Sequence, residues 1–118
     1  MYLIERSIKV SGFKKIHMPE DYTGSYNKIH QFNWLIKIYA KSRELNANDM
    51  IEDFEYIEHQ VKQNIDGKYI NEIEDLGFIS PTTENMAKWI CDIIPQCYKV
   101  RIEDLDNLSV TEYIEEDF

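Results

Sequence analysis

The stretch His30-Gln-Phe-Asn-Trp-Leu-Ile-Lys-Ile-Tyr-Ala40 decides the fold class of this chain, because its large apolar residues recur at alternate positions. One face of the stretch carries His30, Phe32, Trp34, Ile36, Ile38 and Ala40. The other face carries Gln31, Asn33, Leu35, Lys37 and Tyr39. Successive side chains of a β-strand point to opposite faces, so the pattern predicts a long strand with one buried side.

Three more strands are predicted on either side of this one. Residues 2–16 are rich in β-branched side chains and favour a slightly irregular strand. Residues 98–103 alternate apolar with charged side chains, and residues 108–114 form a last, acidic strand after a turn at Asp106-Asn107. Residues 19–27 are rich in turn formers, and we expect a loop there that presents polar groups of a functional site.

Two helices are predicted between the strand pairs. The first has an apolar stripe at intervals of three and four, formed by Met50, Phe54, Ile57, Val61 and Ile65. We expect Asn46 or Asn48 to cap its start and Gly67 to end it. The second begins within Ser80-Pro-Thr-Thr-Glu84 and ends before Pro95. The chain is therefore predicted to form one α+β domain, residues 1–118, with an antiparallel sheet.

The composition argues against several classes of function. The formal net charge is −9, which opposes binding to nucleic acid or to anionic membranes. No apolar stretch approaches the roughly 20 residues that span a bilayer, and the first residues do not resemble a signal peptide. We expect a cytoplasmic protein whose Cys91 and Cys97 are reduced core thiols rather than a disulfide or redox pair.

Six short motifs follow one another along the chain. They are Phe13-Lys-Lys-Ile-His17, His30-Gln-Phe32-Asn-Trp34, Met50-Ile-Glu-Asp53-Phe54, Ile65-Asp66-Gly67-Lys-Tyr-Ile-Asn71, Pro81-Thr-Thr-Glu-Asn85 and Val100-Arg-Ile-Glu103. In this order, the motifs resemble those of the 6-pyruvoyl-tetrahydropterin synthase and 6-carboxy-tetrahydropterin synthase family. The resemblance extends from about Phe13 to Asp104, which is most of the chain.

The resemblance implies a tunnelling fold, in which a four-stranded antiparallel sheet carries two helices in the order β-β-α-α-β-β. Strands of neighbouring subunits then join into an oligomeric barrel, a trimer or a hexamer made of two trimers. Glu103 matches the residue that anchors a pterin or purine-like ring, and a carboxylate can accept two N–H bonds from such a ring. We also expect Thr82 to contact this small heterocyclic ligand. His17 and His30 either contact it too or are a remnant hydrogen-bonded pair packed by Phe32.

The chain departs from the family at its metal site. The family holds a catalytic zinc ion with three histidines, two of which lie two positions apart on one strand. Here those two positions are His30 and Phe32, and a phenylalanine ring has no lone pair to offer a metal. His17 and His30 remain, while His59 lies in the first helix. We therefore expect no catalytic zinc and no other cofactor.

The proton-transfer residues have changed too. Tyr26 stands where the family has its nucleophile or base, usually a cysteine, and Asp66-Gly67 replaces an Asp-His pair. Glycine cannot relay a proton, so Asp66 lacks the imidazole through which it would act. Tyr26 and Asp66 are nevertheless the catalytic candidates that the resemblance indicates.

Three functional hypotheses stay open. The first is a family member that keeps the ring-binding pocket but has lost the zinc chemistry. It would be a ligand-binding homologue or a metal-free, lyase-like enzyme acting on a pterin or a related heterocycle. The alternative is an active tetrahydropterin synthase with an atypical metal site. The third is a structural interaction module whose pocket is filled by Tyr26, Phe32 and Trp34.

Overall fold

The computed structural model of this chain describes residues 1–77 and 79–116. These residues form strands and helices with the bounds β1 (Tyr2–Lys14), β2 (His30–Ser42), α1 (Phe54–Ile65), α2 (Thr83–Ile93), β3 (Cys97–Asp104) and β4 (Ser109–Ile114). Two single 3₁₀ turns, Ile70–Glu72 and Glu74–Leu76, lie between the helices. Neither α1 nor α2 has the length and apolar character that crossing a membrane requires.

The four strands form one antiparallel sheet in the order β1-β2-β3-β4. Both helices cover one face of this sheet through their apolar sides, and the predicted α+β fold with the order β-β-α-α-β-β is confirmed. The predicted alternation of β2 is confirmed too. Its residues on the helix-covered face are buried, and they are Phe32, Trp34, Ile36, Ile38 and Ala40.

The start of α1 differs from the sequence-based prediction. Asp53 caps the helix, and its carboxylate accepts a hydrogen bond of 2.8 Å from the backbone N–H of Glu55. Asn46, one of the two expected caps, instead accepts bonds from the N–H groups of Asn48 and Met50 within a preceding turn. The prediction of a cap at Asn46 or Asn48 was wrong because a local Asn turn competed with the helix start.

The other helix boundaries agree with the prediction. Thr82 caps α2, and its hydroxyl accepts a bond of 3.2 Å from the N–H of Asn85. Gly67, just beyond the end of α1, has a φ of 72°, a conformation that glycine adopts at little cost. Cys91 is a buried free thiol and Cys97 is a half-buried one.

The connection after α1 covers the outer edge of β1. The Gly67 N–H donates to the carbonyl of Ser11 at 2.7 Å, and the Phe13 N–H donates to the carbonyl of Lys68 at 2.9 Å. The carboxylate of Asp66 accepts from the Ser11 N–H at 3.0 Å. These bonds satisfy backbone groups that an edge strand would otherwise leave unpaired.

Candidate functional site

A cavity of about 280 Å³ lies at the end of the sheet where β1 stops and β2 begins. The N-terminus of α2 and the turn between β3 and β4 contribute its other walls. Its lining residues include Lys14, Tyr26, His30, Phe32, Thr82 and Asp104. Because these residues come from distant parts of the chain, only the folded sheet brings them together.

Three predicted site residues, Tyr26, His30 and Thr82, line this cavity. The rings of Tyr26 and His30 have centroids 6.1 Å apart. The carbonyl of Tyr26 accepts a bond of 2.8 Å from the backbone N–H of Ile16, which ties the loop between β1 and β2 to the cavity wall. Tyr26 is the residue of the predicted 19–27 loop that lines the cavity, and the functional role of this loop stays a prediction.

His30 has a defined orientation at the start of β2. Its Nδ1 lies 2.9 Å from the carbonyl oxygen of Lys28. Since a carbonyl can only accept, Nδ1 carries the hydrogen of this bond. In the neutral imidazole, Nε2 then keeps the lone pair and is the nitrogen that can accept a proton or bind an electrophile.

Asp104 is a cavity residue that the sequence analysis did not select. It is 9% exposed and belongs to the same parity of β3 as the buried Val100 and Ile102. Its Oδ1 accepts from the N–H groups of Asp106 and Asn107, both at 3.1 Å, and its Oδ2 accepts from Nδ2 of Asn107 at 2.8 Å. The signal that could have identified Asp104 is a carboxylate at the next alternate position after the apolar Val100 and Ile102.

Glu103 lies on the opposite face of the sheet. Its Oε2 is 3.3 Å from Nζ of Lys37 and 3.6 Å from Nε of Arg101. It is not among the residues that line the cavity. The ring-anchoring role inferred for Glu103 stays a prediction.

His17 and Asp66 are not among the cavity-lining residues either. His17 is exposed, and its backbone N–H donates to the hydroxyl of Ser80 at 3.1 Å. Asp66 is exposed at the outer edge of β1, where its carboxylate accepts from the Ser11 N–H. The structure gives Asp66 a structural contact, and its catalytic role stays a prediction.

Lys14 ends β1 on the buried parity, opposite His30 in the register of β1 and β2. The residue is 6% exposed, and its Nζ lies 3.4 Å from the carbonyl oxygen of Pro81 and 4.8 Å from the centroid of the Trp34 ring. Burial lowers the pKa of Lys14, and the negative charges of Asp104 and Glu84 offset part of this effect. Lys14 is the second charged cavity residue that the sequence analysis missed.

Phe32 occupies the position that resembles the family's third zinc ligand. Its side chain is 2% exposed and stacks on Trp34, with ring centroids 4.0 Å apart. A Cβ at Gly12 would lie 2.8 Å from Cζ of Phe32 and 2.6 Å from the carbonyl oxygen of Lys68. Because Gly12 has no side chain, the Phe32 ring has the space to pack against this part of β1.

The residues around the cavity do not fit a catalytic zinc ion. Within residues 1–77 and 79–116, no three His, Cys, Asp or Glu side chains gather as a metal-binding group. Phe32 offers no donor atom, and His17 is not in the cavity wall with His30. A catalytic zinc site needs three protein ligands that converge on one point.

Comparisons with known proteins agree with the fold. The 6-pyruvoyl tetrahydropterin synthase family matches residues 7–116. The structure is similar to 6-pyruvoyl tetrahydropterin synthase of Caenorhabditis elegans, with a TM-score of 0.70 and 19% identity, over 98% of this chain and 96% of that chain. It is also similar to the uncharacterized protein WS1659 of Wolinella succinogenes, with a TM-score of 0.72 and 13% identity, over 98% of each chain. No curated protein matches the sequence. Because the family match spans nearly the whole sequence, this chain belongs to the 6-pyruvoyl tetrahydropterin synthase family.

Proposed function

We propose that this protein binds a pterin- or purine-like ring in the cavity beside His30 and Phe32 and does so without a catalytic zinc ion. It is then a ligand-binding homologue of the synthases, or an enzyme with changed, metal-free chemistry. The observation that carries this proposal is the wall composition of the cavity, where the Phe32 ring and the Asp104 carboxylate both line it. A flat heterocycle needs an apolar surface for its ring and polar partners for its edge.

Asp104 is the carboxylate that we propose as the ring anchor within one subunit. Its Oδ2 accepts a single bond from Asn107, and a carboxylate oxygen offers about two acceptor positions. An N–H group of the ligand can therefore be accommodated without breaking the turn that Asp104 holds. Glu103 would serve as an anchor only in a cavity to which the other face of the sheet contributes.

Thr82 and Tyr26 complete the proposed contacts. The Thr82 hydroxyl accepts from the Asn85 N–H and keeps its own hydrogen available for a ligand acceptor. The Tyr26 hydroxyl is the group we assign as acid or base if the protein is a lyase-like enzyme. Tyr26→Phe would then remove turnover while leaving ligand binding in place.

Assembly is part of the proposal, since members of this family are typically oligomeric. We propose a homo-oligomer, a trimer or a hexamer, located in the cytoplasm. The mass of the assembly in solution, measured by light scattering, tests the first point. A monomer at the concentrations used for ligand binding would contradict it.

Zinc content and ligand-induced stabilisation test the proposal directly. Elemental analysis of protein purified without chelators should find far less than one zinc ion per chain, and near-stoichiometric zinc would overturn the metal-free reading. Neopterin and guanine should each be screened for a rise in the melting temperature, because a ligand that binds only the folded state stabilises it. No rise with either compound would overturn the ring-binding pocket and favour a filled, purely structural module.

An active tetrahydropterin synthase with an atypical metal site is the second candidate. The observation that favours it is the bond between Nδ1 of His30 and the Lys28 carbonyl, because metal-bound histidines usually have their other nitrogen held in this way. Incubation with 7,8-dihydroneopterin triphosphate, with and without added Zn²⁺, tests it. A reduced pterin product that disappears in both His17→Ala and His30→Ala would establish this candidate over the first.

A further inference from the structure

Lys14 is the cavity residue that the proposed ring binding leaves without a task. Only 6% of the residue is exposed, yet it lines the cavity. None of the ion pairs formed by the described residues includes Lys14. Its Nζ has one hydrogen-bond acceptor, the Pro81 carbonyl, at the long distance of 3.4 Å.

Burial disfavours an ammonium group without an ion-pair partner and so shifts the equilibrium of Lys14 toward the neutral amine, although Asp104 and Glu84 offset part of this shift. The neutral amine has a lone pair and is a nucleophile, whereas the ammonium ion is not. Desolvation in a pocket is one of the ways in which a lysine becomes reactive toward carbonyl groups. The position of Lys14 meets this condition, and its lowered pKa has the same physical cause.

We propose that Nζ of Lys14 forms a reversible imine with a small aldehyde or ketone that enters the cavity. The amine attacks the carbonyl carbon, a C–N bond forms, and the carbonyl oxygen takes up the amine proton to give a carbinolamine. Uptake of one proton from solvent and loss of one water molecule then give the iminium ion. No oxidant or reductant is consumed, and hydrolysis reverses both steps.

The charges around the cavity favour the iminium product. Asp104 and Glu84 both line the cavity and both act electrostatically on Lys14. The protonated imine carries a positive charge, whereas the neutral imine and the neutral amine do not. Nearby carboxylates therefore favour the protonated imine over both neutral forms. The volume of about 280 Å³ is at the small end of ligand sites and is large enough for a small aldehyde or keto acid.

This inference rests on the proposed function only in using the same cavity. Ring binding and imine formation have different probes, so their failures can be told apart. Stabilisation by neopterin without selective reaction at Lys14 would contradict imine formation and support the ring-binding pocket. Selective reaction at Lys14 without stabilisation by neopterin would support imine formation and contradict ring binding.

Reductive trapping tests the imine. The intact protein is incubated near neutral pH with sodium cyanoborohydride and either pyruvate or glycolaldehyde, and the modified lysines are identified by peptide mass mapping. Lys15 is the matched control, since it is the next residue and is exposed. A lower lysine pKa means a larger fraction of neutral amine at neutral pH. We therefore expect Lys14 to be trapped faster than Lys15 with at least one probe.

Equal or slower trapping at Lys14 with both probes would overturn the proposal. Reaction with pyruvate alone would identify keto acids as the ligand class, and reaction with glycolaldehyde alone would identify aldehydes.

Lys14→Arg keeps a cation but cannot form an imine, and Lys14→Met removes the cation. In the wild type, pyruvate or glycolaldehyde added without cyanoborohydride should protect Lys14 from a general amine reagent. Absence of this protection would contradict the imine, and this test does not depend on whether the two variants fold.

Discussion

Glu103 and Asp104 are neighbours in β3, and their carboxylates lie on opposite faces of the sheet. Asp104 is buried at the cavity and holds the turn into β4 through three hydrogen bonds. Glu103 is part of a network with Lys37 and Arg101 on the face that the helices do not cover. Substitutions at these two neighbouring positions should therefore have different effects.

Asp104→Asn should abolish the stabilisation by neopterin or guanine, while Glu103→Gln should leave it nearly unchanged. The amide at position 104 places an N–H donor where the ligand requires an acceptor. Thermal-shift titration measures both variants under one set of conditions. The opposite result, with loss in Glu103→Gln alone, would show that the anchor acts from the other face of the sheet.

Stability should distinguish the same two variants. Glu103→Gln weakens partly exposed ion pairs and should cost no more than about 1 kcal/mol. Asp104→Asn disturbs a buried, hydrogen-bonded carboxylate and should cost about 1–3 kcal/mol. Urea unfolding gives both free energies, and equal losses would contradict the different burial of the two side chains.

Gly12→Ala should destabilise the protein by about 1–3 kcal/mol, which is typical of overpacking in a core. The new Cβ would approach the Phe32 ring and the Lys68 carbonyl, and neither a buried ring nor a backbone oxygen can move easily. Urea unfolding measures the loss. Gly67→Ala is the matched control, since nothing lies within 4 Å of its Cβ and only its positive φ costs energy. A loss in Gly12→Ala without displacement of either Phe32 or the Lys68 carbonyl in a crystal structure would contradict this mechanism.

Asp66→Asn should fold almost as stably as the wild type, because the amide oxygen can still accept the Ser11 N–H. Asp66→Ala removes that acceptor and should cost about 0.5–1.5 kcal/mol. Melting curves check both values. If Asp66 also moves a proton in catalysis, Asp66→Asn will lose turnover at unchanged stability, whereas unchanged turnover would leave the residue a purely structural role.

Lys14→Met should change the pH dependence of stability. The folded pKa of Lys14 lies below its ordinary value, so between these two pKa values the unfolded chain binds a proton that the folded chain does not. Folding stability from this group therefore rises with pH across that window. Lys14→Met removes the rise and should match or exceed wild-type stability at neutral pH, since an apolar side chain replaces an unpaired buried amine.

Urea unfolding at several pH values up to about 10 measures this effect, with Lys15→Met as the control for loss of one surface charge. Any excess stability of Lys14→Met over wild type should shrink as the pH rises, because only the wild type gains stability across the window. A constant difference would mean that burial does not alter the proton affinity of Lys14.

Much of the fold could be predicted from the sequence because it depends on short-range periodicity. The alternation of β2 and the stripes of α1 and α2 each need only a few turns or strand residues to be recognised. The start of α1 was missed because Asn46 and Asp53 are both good caps, and the choice between them depends on the turn that Asn46 makes with Met50.

The candidate site was predictable only in part. Tyr26, His30 and Thr82 were selected through motifs, and the structure places them in one cavity. Lys14 and Asp104 were missed, although both are charged residues that continue the buried parity of a strand. That signal is visible in the sequence, but a charge at a strand end also fits simple exposure to solvent.

The sequence by itself therefore determined the order and type of the elements and the family, and it shows Phe32 two positions after His30. Only the tertiary structure decided which charged groups meet, because β1, β2, α2 and β3 contribute to one cavity from positions 14 to 104 along the chain. The alternation along a strand assigns each side chain to one face of that strand. Which side chains of other strands lie beside it is fixed only when strand pairing sets the register. That register places Lys14 opposite His30 and Trp34 opposite Asp104, and leaves Glu103 on the other face.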